Sequence, residues 1–200
     1  MFVQVIEGRT SDPDGLRRQF EKWVAELEPG ANGYLGTTAG VASDGRVLAV
    51  ARFESEQAAR ANSERPEQGT WWAETEKLFE GPAQFTESSD VETFLGGGSD
   101  DAGFVQVMKL SGVDRERVKQ MDKQFEPHAS KVRPDLIGGL RVWTGPDRSI
   151  DVNYFTSEEE ARAGERREPP PELAAGFAEF ESMMSQAEFI DLSDPYLYSA

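Results

Sequence analysis

Cysteine is missing from this chain of 200 residues, and histidine occurs once, at His128. Without thiols there is no disulfide, no thiolate nucleophile and no cysteine-ligated metal, a composition that suits a reducing cytoplasm. A single imidazole leaves no histidine-dependent triad and no histidine-rich metal site. His128 follows Pro127 at the expected end of a helix, where a surface or capping role accounts for it. Neither a metal nor a cofactor is expected. No apolar run approaches a membrane span, and the first residues read as a strand, not as a targeting segment. Basic residues are also scarce: 21 Lys and Arg stand against 37 Asp and Glu, for a net charge of −16. Residues 1–100 carry 9 basic and 18 acidic side chains and residues 101–200 carry 12 and 19, so both halves are acidic, at −9 and −7. Such a field repels phosphate and anionic lipid, so nucleic acid and membrane surfaces are not expected partners, and solubility is its plain consequence. The expected location is the cytoplasm.

Hydrophobic residues make up 38% of the chain, with twelve Phe and four Trp, enough for a globular core. Phe2-Val3-Gln4-Val5 returns as Phe104-Val105-Gln106-Val107, a spacing of 102 in 200. At the same offset Phe53 falls on Phe155, Ser55-Glu56 on Ser157-Glu158, and Ala59-Arg60-Ala61 on Ala161-Arg162-Ala163. Two copies of one unit follow, at 1–95 and 103–200, with the Gly- and Asp-rich stretch 96–102 as linker. Its Gly96-Gly97-Gly98 lacks the Gly-Lys-Ser/Thr of a phosphate loop.

Within the first copy, residues 2–6 read as a buried strand. Asp12-Pro13 opens a helix whose apolar stripe is Leu16, Phe20, Trp23, Val24 and Leu27. Two extended runs, 33–42 and 45–53, meet at Asp44-Gly45, a hairpin signal. Val47, Ala49, Ala51 and Phe53 share one face of the second run; Leu48, Val50 and Arg52 share the other. A helix from Ser55 breaks near Pro66 and resumes through Trp71 and Trp72, before a strand at about 83–86. The second copy repeats the order: strand 104–108, a helix through Val118, Met121 and Phe125, strands 136–144 and 148–155, and a helix from Ser157. That helix breaks at Pro169-Pro170-Pro171, and a last strand lies near 187–192. Beyond each copy runs an apolar arm, Val91–Phe94 and Tyr196–Tyr198.

A four-stranded sheet with both helices on one side leaves its other face bare, and a second sheet can bury it. The duplicated βαββαβ plan, with its FVQV openings and Ser-Glu-x-x-Ala-Arg-Ala helix starts, resembles the dimeric α/β-barrel superfamily. It is most similar to single-chain tandem antibiotic-biosynthesis-monooxygenase-like domains. The resemblance implies an α+β fold in which two tandem ferredoxin-like repeats close into an intramolecular pseudo-dimeric barrel. It also implies a cofactor-free monooxygenase as one activity. Haem degraders of the same group use an Asn on the first strand with a helical Trp and His. Here Gln4 and Gln106 hold the strand positions and neither second helix has a histidine.

Two groups are candidate sites. Arg52 with Trp71 and Trp72 reads either as core tryptophans beside a snorkelling arginine, or as an aromatic-walled pocket whose cationic end suits a planar acid. Arg52 aligns with Tyr154, and Trp71-Trp72 with Ala175-Gly176, so the first copy is the expected binding half. In the second copy Ser149, Asp151 and Asn153 alternate with Ile150, Val152 and Tyr154. The apolar set is expected to face the helices, so the polar set, with Arg141, Gln4 and Gln106, points at the other sheet as an inter-sheet network that is either structural or catalytic. The expected function is binding of a small aromatic or polyketide-like ligand. The alternatives are a cofactor-independent monooxygenase and a structural or stress protein with no ligand.

The chain is expected to be a monomer, because duplication supplies the partner that a single copy must recruit. Isolated residues 1–95, with a bare sheet face and a free arm, should then dimerise or aggregate in light scattering. A monodisperse monomeric fragment would contradict this.

Overall fold

A computed structural model describes residues 1–199. The chain forms two compact units, one from Met1–Val91 with the segment after Asp194, the other from Glu92–Ser193. The first runs β1 (Phe2–Arg9), α1 (Pro13–Glu26), β2 (Tyr34–Val41), β3 (Arg46–Phe53), α2 (Glu56–Ser63), α3 (Pro66–Thr75) and β4 (Gln84–Ser88). After β5 (Val91–Phe94), the second unit runs β6 (Phe104–Ser111), α4 (Arg115–Phe125), α5 (Ala129–Val132), β7 (Leu136–Trp143) and β8 (Arg148–Phe155). It continues through α6 (Glu158–Glu165), α7 (Ala174–Met184) and β9 (Glu188–Leu192), and the chain closes with β10 (Tyr196–Ser199). The sheets are ordered β10-β2-β3-β1-β4 and β5-β7-β8-β6-β9. Each half is therefore a ferredoxin-like βαββαβ unit of α+β class, as the repeat predicts. The expected apolar arms are the fifth strands, and each adds to the sheet of the other copy. Among the described residues no helix is long and apolar enough to cross a membrane.

The repeated residues are those that set local geometry. Ser55 and Ser157 cap α2 and α6, accepting from the backbone N–H three residues on at 3.2 Å each. Ala59 and Ala161, one turn further, are fully buried, which lets each helix lie close on its sheet. Asp12 caps α1 ahead of Pro13, and Asp114 caps α4. The FVQV strands pair in the same register, Phe2 with Phe53 and Phe104 with Phe155. Both hairpins slip by one residue at the same place, before Gly36 and before Gly138. Gly36 has φ +134°, and a side chain there would meet the carbonyl oxygen of Tyr198 at 2.5 Å. Glycine is thus required twice over at that bulge.

Strand alternation gives each sheet a helix-facing side. In the first unit Val47 and Ala49 pack with Leu16, Phe20, Ala39 and Tyr196, while Phe2 and Phe53 pack with Trp23, Leu27, Tyr34 and Trp71. The opposite face, with Val3, Val5, Leu48 and Val50, is fully buried. The equivalent face of the second unit, with Val105, Val107, Val152 and Tyr154, is buried as completely.

Tyr196 ties β10 into the first unit. Its ring lies 6.0 Å from Phe20 with the Arg17 guanidinium 4.1 Å above it, and its hydroxyl donates to the Pro13 carbonyl at 3.2 Å. Tyr196→Ala should destabilise the chain by about 3 kcal/mol, as deletion of a buried aromatic does. Truncation before Asp194 should cost more, because it also bares the β2 edge. Urea titrations check both, and a truncated chain with an unchanged midpoint would overturn this account of β10.

Candidate functional site

The expected grouping of Arg52 with Trp71 and Trp72 is corrected by the faces of the sheet. Phe53 and Ala51 point to the helices and pack with Trp71 and Trp72, so Arg52 points the other way, its guanidinium against Gly36. Trp71 is a core residue, 7% exposed, whose indole N–H donates to the Gln19 carbonyl at 2.8 Å. Trp72 packs on Trp71, Phe79 and Phe85, with ring centroids 6.1, 6.0 and 5.1 Å apart. The tryptophans fill the space beneath the helices and leave Arg52 on the far side.

The second expectation needs a parallel correction. Ser149, Asp151 and Asn153 face the helices of their own unit, not the other sheet. Arg141 donates to Asp151 through Nε at 2.9 Å and Nη2 at 2.7 Å, and through Nη1 to Asp122 on α4. Ser149 Oγ donates to the second Asp151 oxygen at 2.8 Å. Gln106 Nε2 donates to Asp191 on β9 at 3.1 Å and to Glu165 on α6 at 3.4 Å. Gln4 makes the equivalent bond in its own unit, to Glu87 on β4 at 2.8 Å, and is no part of the network. The physical reason lies in the partners. The face carrying Ile150, Val152 and Tyr154 takes the apolar set, while on the helix side Arg141 and Ser149 supply the partners that a buried Asp151 needs. Arg141 and Asp151 do pair. Burial pushes the Asp151 carboxyl above the ordinary aspartate value, against the lowering effect of Arg141 and Ser149. Burial also works against the Arg141 charge, but Asp151 and Asp122 hold its pKa above the usual arginine value.

The two copies act as each other's control. Phe20, Ala39, Val47 and Ala49, an apolar cluster in the first, align with Asp122, Arg141, Ser149 and Asp151 in the second. Trp23, Trp71 and Trp72 align with Phe125, Ala175 and Gly176. A side chain added at Gly176 would meet nothing within 4 Å. The space left by the missing indoles is a cavity of about 320 Å³ between the sheet and helices α4 and α7. Its floor includes Gln106, Met108 and Asn153, and its apolar walls include Met121, Phe125, Phe177, Phe180 and Phe189. Phe125 and Phe177 meet edge to face at 6.1 Å. In the first copy, the expected binding half, Trp71 and Trp72 occupy the corresponding space. Of the residues singled out from sequence, Gln106 and Asn153 line this cavity, and Arg141 and Asp151 lie beside it through Asp122. The methionine and phenylalanine walls were not singled out, although Gly176 opposite Trp72 was the signal that could have pointed to them. His128 lies in the turn after α4 and does not line the cavity.

Three of the four charged side chains in the lining, Asp122, Arg133 and Glu165, are matched by partners. Asp122 is held by Arg141 and Glu165 by Arg162, at 2.9 Å. Arg133 lies against Asp135 at 2.7 Å with its Cζ 5.3 Å over the Phe155 ring. Glu172 stands exposed at the rim.

No protein-family profile matches the chain, and no curated protein does. Solved structures match its fold over the full length. A Fusobacterium nucleatum protein provisionally assigned as a monooxygenase superposes with a TM-score of 0.76 at 11% identity, over 99% of this chain and 94% of that one. A Lactobacillus acidophilus protein with the same provisional assignment gives 0.70 at 12% identity, over 98% of both chains. An anthrone oxidase-like protein gives 0.60 at 12% identity, over 100% of this chain and 91% of its own. At these identities fold is what is shared.

Replacing Arg141 alone by Leu should cost about 3–5 kcal/mol, because it strands the Asp151 carboxylate. Replacing Asp122, Arg141 and Asp151 together by their first-copy equivalents, Phe, Ala and Ala, should cost much less. In Arg141→Leu the stranded carboxyl should titrate well above the unfolded value of about 3.9. Protonation then relieves the penalty, so the deficit against wild type should shrink as pH falls towards that value and grow as pH rises. Urea denaturation across pH checks this. A pH-independent deficit, or additive losses in an Arg141/Asp151 double-mutant cycle, would show that the pair is not coupled.

Proposed function

We propose that the protein binds a small aromatic or polyketide-like molecule in the cavity of its second unit. The supporting observation is the replacement of Trp72 by Gly176 between copies that share one strand register: one copy fills its helix–sheet space with indole, and the other leaves it open. The cavity has the character of a ligand site, with apolar walls and a few convergent polar groups. Its thioethers, Met108, Met121 and Met184, adapt readily to ligand shape.

A second reading, a cofactor-independent monooxygenase, is favoured by the provisional assignments of the Fusobacterium and Lactobacillus proteins that share the fold. In that chemistry a bound substrate gives up a proton and its carbanion reduces dioxygen, so the protein's part is to bind, orient and exclude water. Oxygen uptake with a ligand first shown to bind decides between binder and enzyme.

N-phenyl-1-naphthylamine, an uncharged aromatic dye, should bind saturably with a Kd on the order of 100 µM, given about 0.3 kcal/mol per heavy atom for a ligand of this size. Gly176→Trp should abolish that binding while leaving the fold intact by circular dichroism. Unchanged dye binding in Gly176→Trp would place the site elsewhere.

A further inference from the structure

We infer that the cavity selects aromatic molecules carrying uncharged hydrogen-bond donors, a phenol or an arylamine, and rejects aromatic acids. This rests on the reading of the cavity as the binding site. Its floor is an amide pair, Gln106 and Asn153, which face each other across the β6–β8 ladder and are each 7% exposed. Their nitrogens are turned into the protein. Gln106 Nε2 spends its two hydrogens on Asp191 at 3.1 Å and Glu165 at 3.4 Å, and Asn153 Nδ2 donates to the Gln106 backbone carbonyl at 3.4 Å. A nitrogen held between two carboxylates fixes which way the Gln106 amide lies, because its oxygen would be repelled there. Among the described residues, Gln106 Oε1 and Asn153 Oδ1 accept no hydrogen bond. The floor thus offers two acceptor oxygens, one cross-strand step apart, against at most one spare N–H.

The charges argue in the same direction. Every cation around the cavity is already matched: Arg133 by Asp135, Arg141 by Asp151 and Asp122, and Arg162 by Glu165 and Asp191. Three carboxylates, Asp122, Glu165 and Glu172, belong to the lining itself. An anionic ligand would bury its charge without a partner and beside like charge, the costliest arrangement a pocket can offer. The chain's net charge of −16 opposes its approach as well. The planar acid expected from Arg52 is therefore the wrong class. A neutral ring with an O–H or N–H directed at the sheet meets acceptors below and phenylalanine and methionine around it.

The test displaces N-phenyl-1-naphthylamine from the full-length chain at neutral pH with 1-naphthol, 1-methoxynaphthalene and 1-naphthoate. These share a ring and differ in offering a donor, a capped oxygen and an anion. 1-Naphthol should bind on the order of tenfold more tightly than 1-methoxynaphthalene, the worth of one or two net hydrogen bonds, and 1-naphthoate should bind most weakly. Gln106→Leu and Asn153→Leu should each bring the ratio of naphthol to methoxynaphthalene affinity closer to one. Equal affinities for naphthol and methoxynaphthalene, or a preference for naphthoate, would overturn the inference while the binding reading stands. Failure of the dye itself to bind would remove that reading and this inference with it. Should the leucine variants fold poorly, the ligand series on the unaltered chain still decides.

Discussion

Strand alternation in the β1–β3 and β6–β8 ladders is the constraint on which the other placements depend. Phe2 opposite Phe53 and Phe104 opposite Phe155 set one register for both copies. A slip of one residue would exchange the two faces of the sheet. The shared register sends 47, 49, 51 and 53, and likewise 149, 151, 153 and 155, towards the helices. It sends Arg52 away from Trp71 and Trp72, and it puts Gln106 beside Asn153 under α4 and α7. The bulges before Gly36 and Gly138 keep the hairpins in step. Beyond the second bulge, a side chain at Gly139 would collide with the Phe94 ring of β5, so the edge strand depends on glycine as well.

Given one register, divergence between the copies is read directly as chemistry. The first copy spends its helix-facing positions on an aromatic core: Phe20 against Trp71 at 6.1 Å, Trp23 against Tyr34 at 4.7 Å, and Trp23 against Trp71 at 6.4 Å. The second spends the same positions on the Asp122–Arg141–Asp151–Ser149 network and an open cavity. Stability does not call for that network, since apolar replacements of a buried ion pair are often neutral or stabilising, and the first copy shows which apolar set fits. What the network does provide is a wall in which one guanidinium lies between two carboxylates, tying α4 to the sheet beside the cavity without presenting a free cation to it.

Much of this was legible from residues alone, for identifiable reasons. The doubled FVQV and Ser-Glu-x-x-Ala-Arg-Ala segments are short-range signals: they mark strand pairing, an N-cap and a close helix contact, and each is complete within a few residues. Arg141 and Asp151 could be paired because hairpin partners lie at a fixed offset from their turn. The face of that pair was read wrongly. The alternation Ser149-Ile150-Asp151-Val152-Asn153 states that two faces differ, but not which one meets the helices, and the polar set is the one that finds its partners there, Asp122 on α4 through Arg141. Trp71 and Trp72 drew attention as large rings, while the informative residue was Gly176, whose significance is the space around it.

The sequence by itself determined the duplication, the βαββαβ order and the residues that share a strand face, because all of these follow from periodicity, capping and turn chemistry close along the chain. Only the tertiary structure decided which face meets the helices, that each arm becomes the fifth strand of the other copy's sheet, and that the open space lies in the second unit. Those outcomes depend on how completely distant elements cover one another. Coverage is a property of packed volumes, and no local pattern of residue types encodes it.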